Sequence, residues 1–179
     1  NGADRLLHIA MDLVSLQFLE VLVSDVHTGE TLKHFALAPG DVVLADRGYA
    51  QCQGMRVAIE QGAELIVRLN PFSVVLSDAA GAPLALSAAL KRQKTETLRT
   101  LVVILHAAGG QHEVRGWLHA YRLNVEHANR ARHKCRQGHK KGTPNAESLF
   151  VAGWVLVFTT LAPAVLSAQT IMALYRCRW

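Results

Sequence analysis

The chain has 179 residues, half of them hydrophobic and 18% charged, which is enough apolar surface for the core of one ordinary domain and excludes a wholly disordered chain. Its formal charge of +5 and pI near 9.4 suit a polyanionic partner without requiring one. Cys52, Cys135 and Cys177 are odd in number and widely spaced, which excludes a disulfide framework, and without a CxxC pair a zinc ribbon is not indicated.

No signal peptide is visible, so these thiols point to a reducing cytoplasm. The first residue is Asn1 rather than Met, and the helical signal at Tyr175 and Arg176 runs to Trp179 without a stop. Both ends therefore read as cuts in a longer protein.

Residues 6–13 are an apolar run broken by His8 and Asp12, and residues 18–23 form a second strand ending near Asp25. His27-Thr28-Gly29-Glu30 is turn chemistry, and residues 31–37 fit a short helix capped at Thr28 or Thr31. Pro39-Gly40-Asp41 then precedes Val42-Val43-Leu44-Ala45, a uniformly apolar run that suits a strand covered on both faces. Residues 51–62 fit a helix closed by Gly62, and residues 65–69 the next strand, stopped by Asn70-Pro71. The order β-β-α-β-α-β predicts a mixed sheet flanked by helices over residues 1–72.

From residue 73 the pattern turns β-rich. Val74-Val75-Leu76 leads into a hairpin turn over residues 78–83; residues 98–105 and 114–123 pair across a turn at 107–111, and residues 155–159 add another strand. We divide the chain into a core (1–72), a β-rich insertion (73–165) and a closing helix (166–179) that starts at the N-cap Ser167. Within the insertion, residues 122–142 carry Arg122, Arg130, Arg132, Lys134, Arg136, Lys140 and Lys141 against the single acid Glu126. Such a run is either a phosphate-contacting arm or a solvated loop or helix. His127, His133, Cys135 and His139 fit no standard zinc spacing, and the surrounding charge opposes a cation. The apolar stretch 150–174 is interrupted by Pro163 and several polar residues, which favours a strand, a turn and a core helix over a membrane span.

Asp46 is the candidate catalytic residue. It falls at the carboxyl end of the strand 42–45, beside Gly48, where open α/β sheets place functional groups; the alternative is an Asp that merely starts a turn. Two-metal phosphoryl transfer needs carboxylates of this kind because hard divalent cations take oxygen ligands.

Pro39-Gly40-Asp41-Val42-Val43-Leu44-Ala45-Asp46-Arg47-Gly48-Tyr49-Ala50 resembles the block around the second catalytic Asp of DDE-type bacterial transposases of the insertion-sequence-four family. Asp25-Val26-His27-Thr28-Gly29-Glu30-Thr31 resembles the stretch before it. Phe158-Thr159-Thr160-Leu161 and Leu174-Tyr175-Arg176-Cys177-Arg178-Trp179 resemble the approach to that family's Tyr-Arg-Glu-Lys signature. In the signature an Arg follows the Tyr by three residues and the catalytic Glu follows the Arg by four. Tyr175 and Arg178 match the first two, and the Glu would fall beyond Trp179. That spacing stacks on one helix face, where DNA-phosphate contacts and a metal ligand can sit together.

The resemblance implies a ribonuclease-H-like α/β fold, a mixed sheet flanked by helices with a β-rich insertion before the C-terminal helix. It also implies metal-dependent DNA cleavage and strand transfer with Mg2+ or Mn2+. Asp46 would be the retained metal-binding and catalytic carboxylate. Tyr175, Arg178, Arg47, Arg130, Arg132, Lys134, Arg136, Lys140 and Lys141 would contact DNA. By the same resemblance the first catalytic Asp precedes this chain. Asp4 falls in the segment joining the family's first two strands and Asp12 within or at the end of the second, so neither is assigned to the metal site. With two of three carboxylates missing, the polypeptide alone is expected to be inactive. The implied partners are the element's terminal DNA, target DNA and a second transposase subunit, on a bacterial nucleoid rather than a membrane. The rival readings are a metal-dependent nuclease on the same fold and a truncated DNA-binding remnant.

Overall fold

In the computed structural model, which describes residues 5–25, 28–92, 97–107, 112–138 and 144–177, the chain opens with an antiparallel hairpin of β1 (Arg5–Met11) and β2 (Phe18–Asp25). Side chains alternate across it, so His8 is buried at 1% exposure while its neighbours Leu7 and Ile9 face outward. Asp12 closes the connecting loop by accepting from the backbone N–H groups of Val14 (2.7 Å) and Ser15 (3.4 Å). The sequence places these two strands in a larger mixed sheet, and that expectation is corrected. They form a two-stranded sheet of their own, and side chains such as His8 and Ala10 join it to the rest of the protein.

The helix expected over 31–37 shrinks to one 3-10 turn, Leu32–His34, capped by Thr31; Phe35 is already extended. Pro39 shortly downstream, which disfavours helical backbone at Ala38, keeps it short. β3 (Val42–Ala45) then runs parallel to β4 (Glu64–Arg68), in register from Val42↔Glu64 to Ala45↔Val67. Between them, α1 (Cys52–Glu60) buries Met55 and Ala58 completely against the sheet. Gly62 ends the helix region at φ +87, a left-handed conformation only glycine adopts readily, with Pro39 packed against it.

The strand covered on both faces is β4, whose Leu65, Ile66 and Val67 are fully buried. β3, which the sequence pattern puts in that position, is the edge of its sheet, with Val42 45% exposed. A short apolar run marks burial of a strand but not its place in the sheet order.

The second half contributes β5 (Val75–Ser77), α2 (Leu86–Lys91), β6 (Leu98–His106) and β7 (Glu113–Arg122), followed by α3 (Val125–Gly138), α4 (Ala146–Val151), β8 (Trp154–Thr159) and α5 (Ala168–Arg176). Strand order in the main sheet is β3-β4-β8-β7-β6-β5, with only β3 and β4 parallel. Strands from both sides of residue 73 therefore share one sheet, because β8 returns to lie between β4 and β7. Gly116 lets β7 approach β8 closely: a Cβ there would lie 2.6 Å from the Phe158 ring and closer still to the Thr159 carbonyl.

Alternating residues of β4 and β8 divide the core between the two sheet faces. Leu65, Val67, Leu156 and Phe158 join Met55 and Ala58 of α1, Leu86 and Leu90 of α2 and Val151 of α4. Ile66 and Val157 pack on the other face against Ile171, Met172 and Tyr175 of α5. The result is the expected mixed α/β architecture, a six-stranded mixed sheet flanked by helices. Ser167 caps α5 by accepting from the Thr170 N–H (3.1 Å), and the apolar stretch around it resolves into β8, a turn and α5. No described helix is long and apolar enough to cross a membrane.

Candidate active site

Asp46 leaves β3 at its carboxyl end, where strand backbone gives way to a 3-10 turn, Arg47–Tyr49. Its Oδ1 accepts from the Arg47 N–H at 2.6 Å and so caps the turn, while its carbonyl accepts from the Tyr49 N–H at 3.0 Å. Gln51 then starts α1. The sequence Asp-Arg-Gly-Tyr thus folds as one tight strand-to-helix turn with the half-buried Asp46 carboxylate at its head.

The turn forms one wall of a cleft of about 580 Å³. Asp46, Arg47 and Gly48 line it, with Glu30 and Gln51 beside them and Asn70 and Ser73 opposite. The Glu30 carboxylate lies where a Cβ on Gly48 would be, so the missing side chain at 48 is what admits it. Gln51 Nε2 holds this segment by donating to the Glu30 carbonyl at 2.7 Å. Sequence reasoning places Glu30 only in a turn, since nothing local says that residues 30 and 48 meet.

Tyr49 turns away from the cleft toward the hairpin. Its hydroxyl lies 3.0 Å from His8 Nδ1, and His8 Nε2 lies 2.8 Å from Ser24 Oγ. The His34 ring tilts over His8 at 5.0 Å between centroids and contacts the Gly29 carbonyl through Nε2 at 3.3 Å. Burial, with the Glu30 carboxylate adding to it, pushes the Tyr49 phenol above its ordinary pKa, so it remains a protonated donor. Burial likewise raises the Cys52 thiol, which makes it a packing residue rather than a nucleophile.

The other residues singled out in the sequence are placed as follows. Arg47 is exposed and lines the cleft next to Asp46. Arg130, Lys134 and Arg136 are exposed on α3, a helix with Ala128 as its buried contact, and Arg130 is paired with Glu126. Arg132 is turned inward and bonds the Leu149 carbonyl and Asn129 Oδ1, both at 3.1 Å, tying α3 to α4. None of these α3 residues lines the cleft described here. Tyr175 is 5% exposed and packs in the apolar cluster between α5 and the sheet, so its side chain is not on the surface. Arg178, Lys140 and Lys141, like Asp4 and His139, lie outside the described residues. Asp12 serves its hairpin loop, and those backbone N–H bonds lower its carboxyl pKa.

The cleft's oxygen donors, the Asp46 and Glu30 carboxylates with the Asn70 and Gln51 amides, are those a hard divalent cation takes. Asp46 fits as one ligand of such an ion. Among the described residues no three His, Cys, Asp or Glu side chains converge into a complete site. No curated protein and no solved structure matches this sequence. A family model described as the transposase DDE domain does match, over residues 3–179, and its DNA-transposing enzymes are consistent with the ribonuclease-H-like arrangement of sheet and helices seen here. The chain belongs to the DDE transposase family.

Proposed function

We propose that the protein cleaves DNA at the ends of an insertion sequence and joins the freed 3′ ends to target DNA, as a transposase of the insertion-sequence-four kind with Asp46 as a catalytic metal-binding carboxylate. The observation that carries this reading is the Asp46 carboxylate at the head of a strand-to-helix turn, facing a cleft lined by oxygen donors. Magnesium or manganese, when bound there, would supply the positive charge that lowers the barrier to phosphodiester displacement. Asp46 would hold that ion, and its bond from the Arg47 N–H fixes the carboxylate orientation beforehand.

The remaining roles concern DNA. Arg47 at the cleft mouth and Arg130, Lys134 and Arg136 on the exposed side of α3 would meet phosphates, giving affinity without base specificity. Arg132 would act through the placement of α3. Tyr175, packed under α5, would hold that helix in place, and Arg178, Lys140 and Lys141 would contribute further phosphate contacts. A second subunit would let the enzyme hold two element ends at once.

The test is Asp46→Ala in the protein carrying this chain, with paired element-end DNA and Mg2+. Nicking and joining should both disappear while gel-shift affinity changes less than about threefold, since removing a metal-binding carboxylate adds no barrier to phosphate contacts. Retained nicking would remove Asp46 from the site. Nicking without joining in the unaltered protein would instead identify a metal-dependent nuclease.

A further inference from the structure

His8 is the most buried polar group near the cleft, at 1% exposure, and it lies on an element that contributes nothing to the cleft itself. Its two ring nitrogens face two hydroxyls, Tyr49 at Nδ1 (3.0 Å) and Ser24 at Nε2 (2.8 Å). The Asp25 carbonyl, 3.1 Å from Ser24 Oγ, can only accept. With a neutral ring, one placement of hydrogens then satisfies all three contacts: Ser24 donates to Asp25 and accepts from His8 Nε2–H, and the Tyr49 hydroxyl donates to the His8 Nδ1 lone pair. The chain runs in one direction: Tyr49 O–H to His8 Nδ1, His8 Nε2–H to Ser24 Oγ, Ser24 O–H to the Asp25 carbonyl.

This chain links the Asp46 turn to both strands of the hairpin, across 41 residues of sequence from Tyr49 to His8. Within the turn, Tyr49 N–H bonds Asp46 O at 3.0 Å and Ala50 N–H bonds Arg47 O at 3.3 Å, and Ala50 and the Tyr49 ring beside Phe35 seat it on the core. Tyr49 is its third residue, and the phenol bonded to His8 ties that end of the turn to the hairpin. The His34 ring over His8 closes the anchor from water.

We infer that His8 is a positioning residue for the Asp46 carboxylate: as the neutral Nε2–H tautomer it accepts the Tyr49 hydroxyl and fixes the strand-to-helix turn against the hairpin. This rests on the proposed role of Asp46. The ligand-side chemistry stays with Asp46, and His8 touches neither metal nor DNA.

The experiment uses the protein carrying this chain, with metal-dependent nicking resolved into kcat and KM for DNA. Tyr49→Phe removes only the donated hydroxyl, and His8→Leu removes the acceptor. Each should lower kcat about tenfold with KM little changed, because misplacing a reacting group costs rate rather than binding. The double variant should be no slower than either single one, since both break the same bond. His8→Asn, which restores an oxygen acceptor near the Nδ1 position, should recover most of the rate. Histidine nitrogen-15 spectra at neutral pH supply a readout independent of activity: the His8 resonances, assigned by their loss in His8→Asn, should show the Nε2–H tautomer.

An Nδ1–H or doubly protonated pattern for His8 overturns the inference, and so do additive rate losses or unchanged kcat in Tyr49→Phe. If Asp46→Ala is inactive while Tyr49→Phe and His8→Leu keep full kcat, this inference fails and the proposed function stands. If Asp46→Ala nicks normally, the proposed function fails, and the positioning role assigned to His8 falls with it.

Discussion

His119 on β7 is fully buried on the sheet face covered by α5, with Nδ1 bonded to the Thr100 hydroxyl at 2.9 Å and no hydrogen-bond partner for Nε2 among the described residues. Burial therefore holds its pKa below the ordinary histidine value. The unfolded chain then takes up this proton first, at a pH near ~6.5, and between there and the depressed folded pKa it binds more protons than the native state. Stability contributed by neutral His119 is complete above that range and falls as the pH is lowered through it. Denaturant titrations should show His119→Gln losing less stability than the wild type between neutrality and mildly acid pH, with a flat difference above it. An identical pH dependence in the two proteins would count against a buried neutral imidazole. Gly116 gives a prediction of packing instead. A methyl there meets the Phe158 ring at 2.6 Å and, more closely, the Thr159 carbonyl, and neither a buried ring nor a central strand can withdraw. Gly116→Ala should cost about 1–3 kcal/mol, read as a lower urea midpoint with unchanged m-value. At this scale the place of Asp46 at a strand end is legible in the sequence, because strand end, Asp and Gly are local, while the metal-binding role proposed for it rests on the resemblance of the block around it. His8 and Glu30 are not, since their roles arise from contacts with Tyr49 and Gly48 that no spacing encodes.

Among the elements, legibility follows apolar pattern more than length: the four-residue β3 is read to the residue, whereas the 14-residue α3, with Ala128 as its buried residue, is left open between a loop and a helix. α1, β4, β6, β7, β8 and α5 lie close to the segments read from the pattern, since each has a long apolar face or run. α2 and α4, six residues each, escape such a reading: a helix that short is held by tertiary packing rather than propensity. The Asn145 cap, bonded to the Ser148 N–H at 2.7 Å, is a usable signal for α4. α3 shows why charge counting alone cannot assign roles. Its arginines and lysine look equivalent in sequence, yet Arg132 bonds α4 whereas Lys134 and Arg136 are exposed. Lys134→Ala with Arg136→Ala should weaken DNA binding and reduce the slope of log affinity against log salt by about 0.9 for each phosphate no longer neutralised, with the melting temperature unchanged. Arg132→Ala should lower the melting temperature, as the hydrogen bond from α3 to the Leu149 carbonyl of α4 disappears along with the bond to Asn129 within α3. If all three substitutions altered salt dependence alike and left stability untouched, the inward assignment of Arg132 would fail.

At the scale of the whole molecule, sheet order is the part hidden from the sequence. β8 follows two helices and a basic segment, and its place between β4 and β7 is a pairing of residues such as Ile66 and Thr159 that are far apart in the chain. The same topology leaves the hairpin's outer face uncovered among the described residues. Leu7, Ile9, Val21 and Val23 form two directly opposed pairs there, each side chain 45–64% exposed, with Phe18 and Leu19 extending the surface toward the loop. An apolar ribbon of this kind is unusual on an isolated soluble surface and favours association. The inner face, with His8 and Ser24, packs on the rest of the fold, so the outer side chains can be changed without touching it. Ile9→Lys with Val21→Lys puts two charges at one opposed pair on that outer face. The purified double variant should scatter less light and sediment as a smaller species than the parent at equal concentration. Its near-ultraviolet circular dichroism should be unchanged, because the packing around His8, Tyr49 and the main sheet stays intact. If the substitutions instead disrupted the tertiary signal, the outer face would be part of the folded core rather than an exposed surface, and the separation of the hairpin from the main sheet would have to be abandoned.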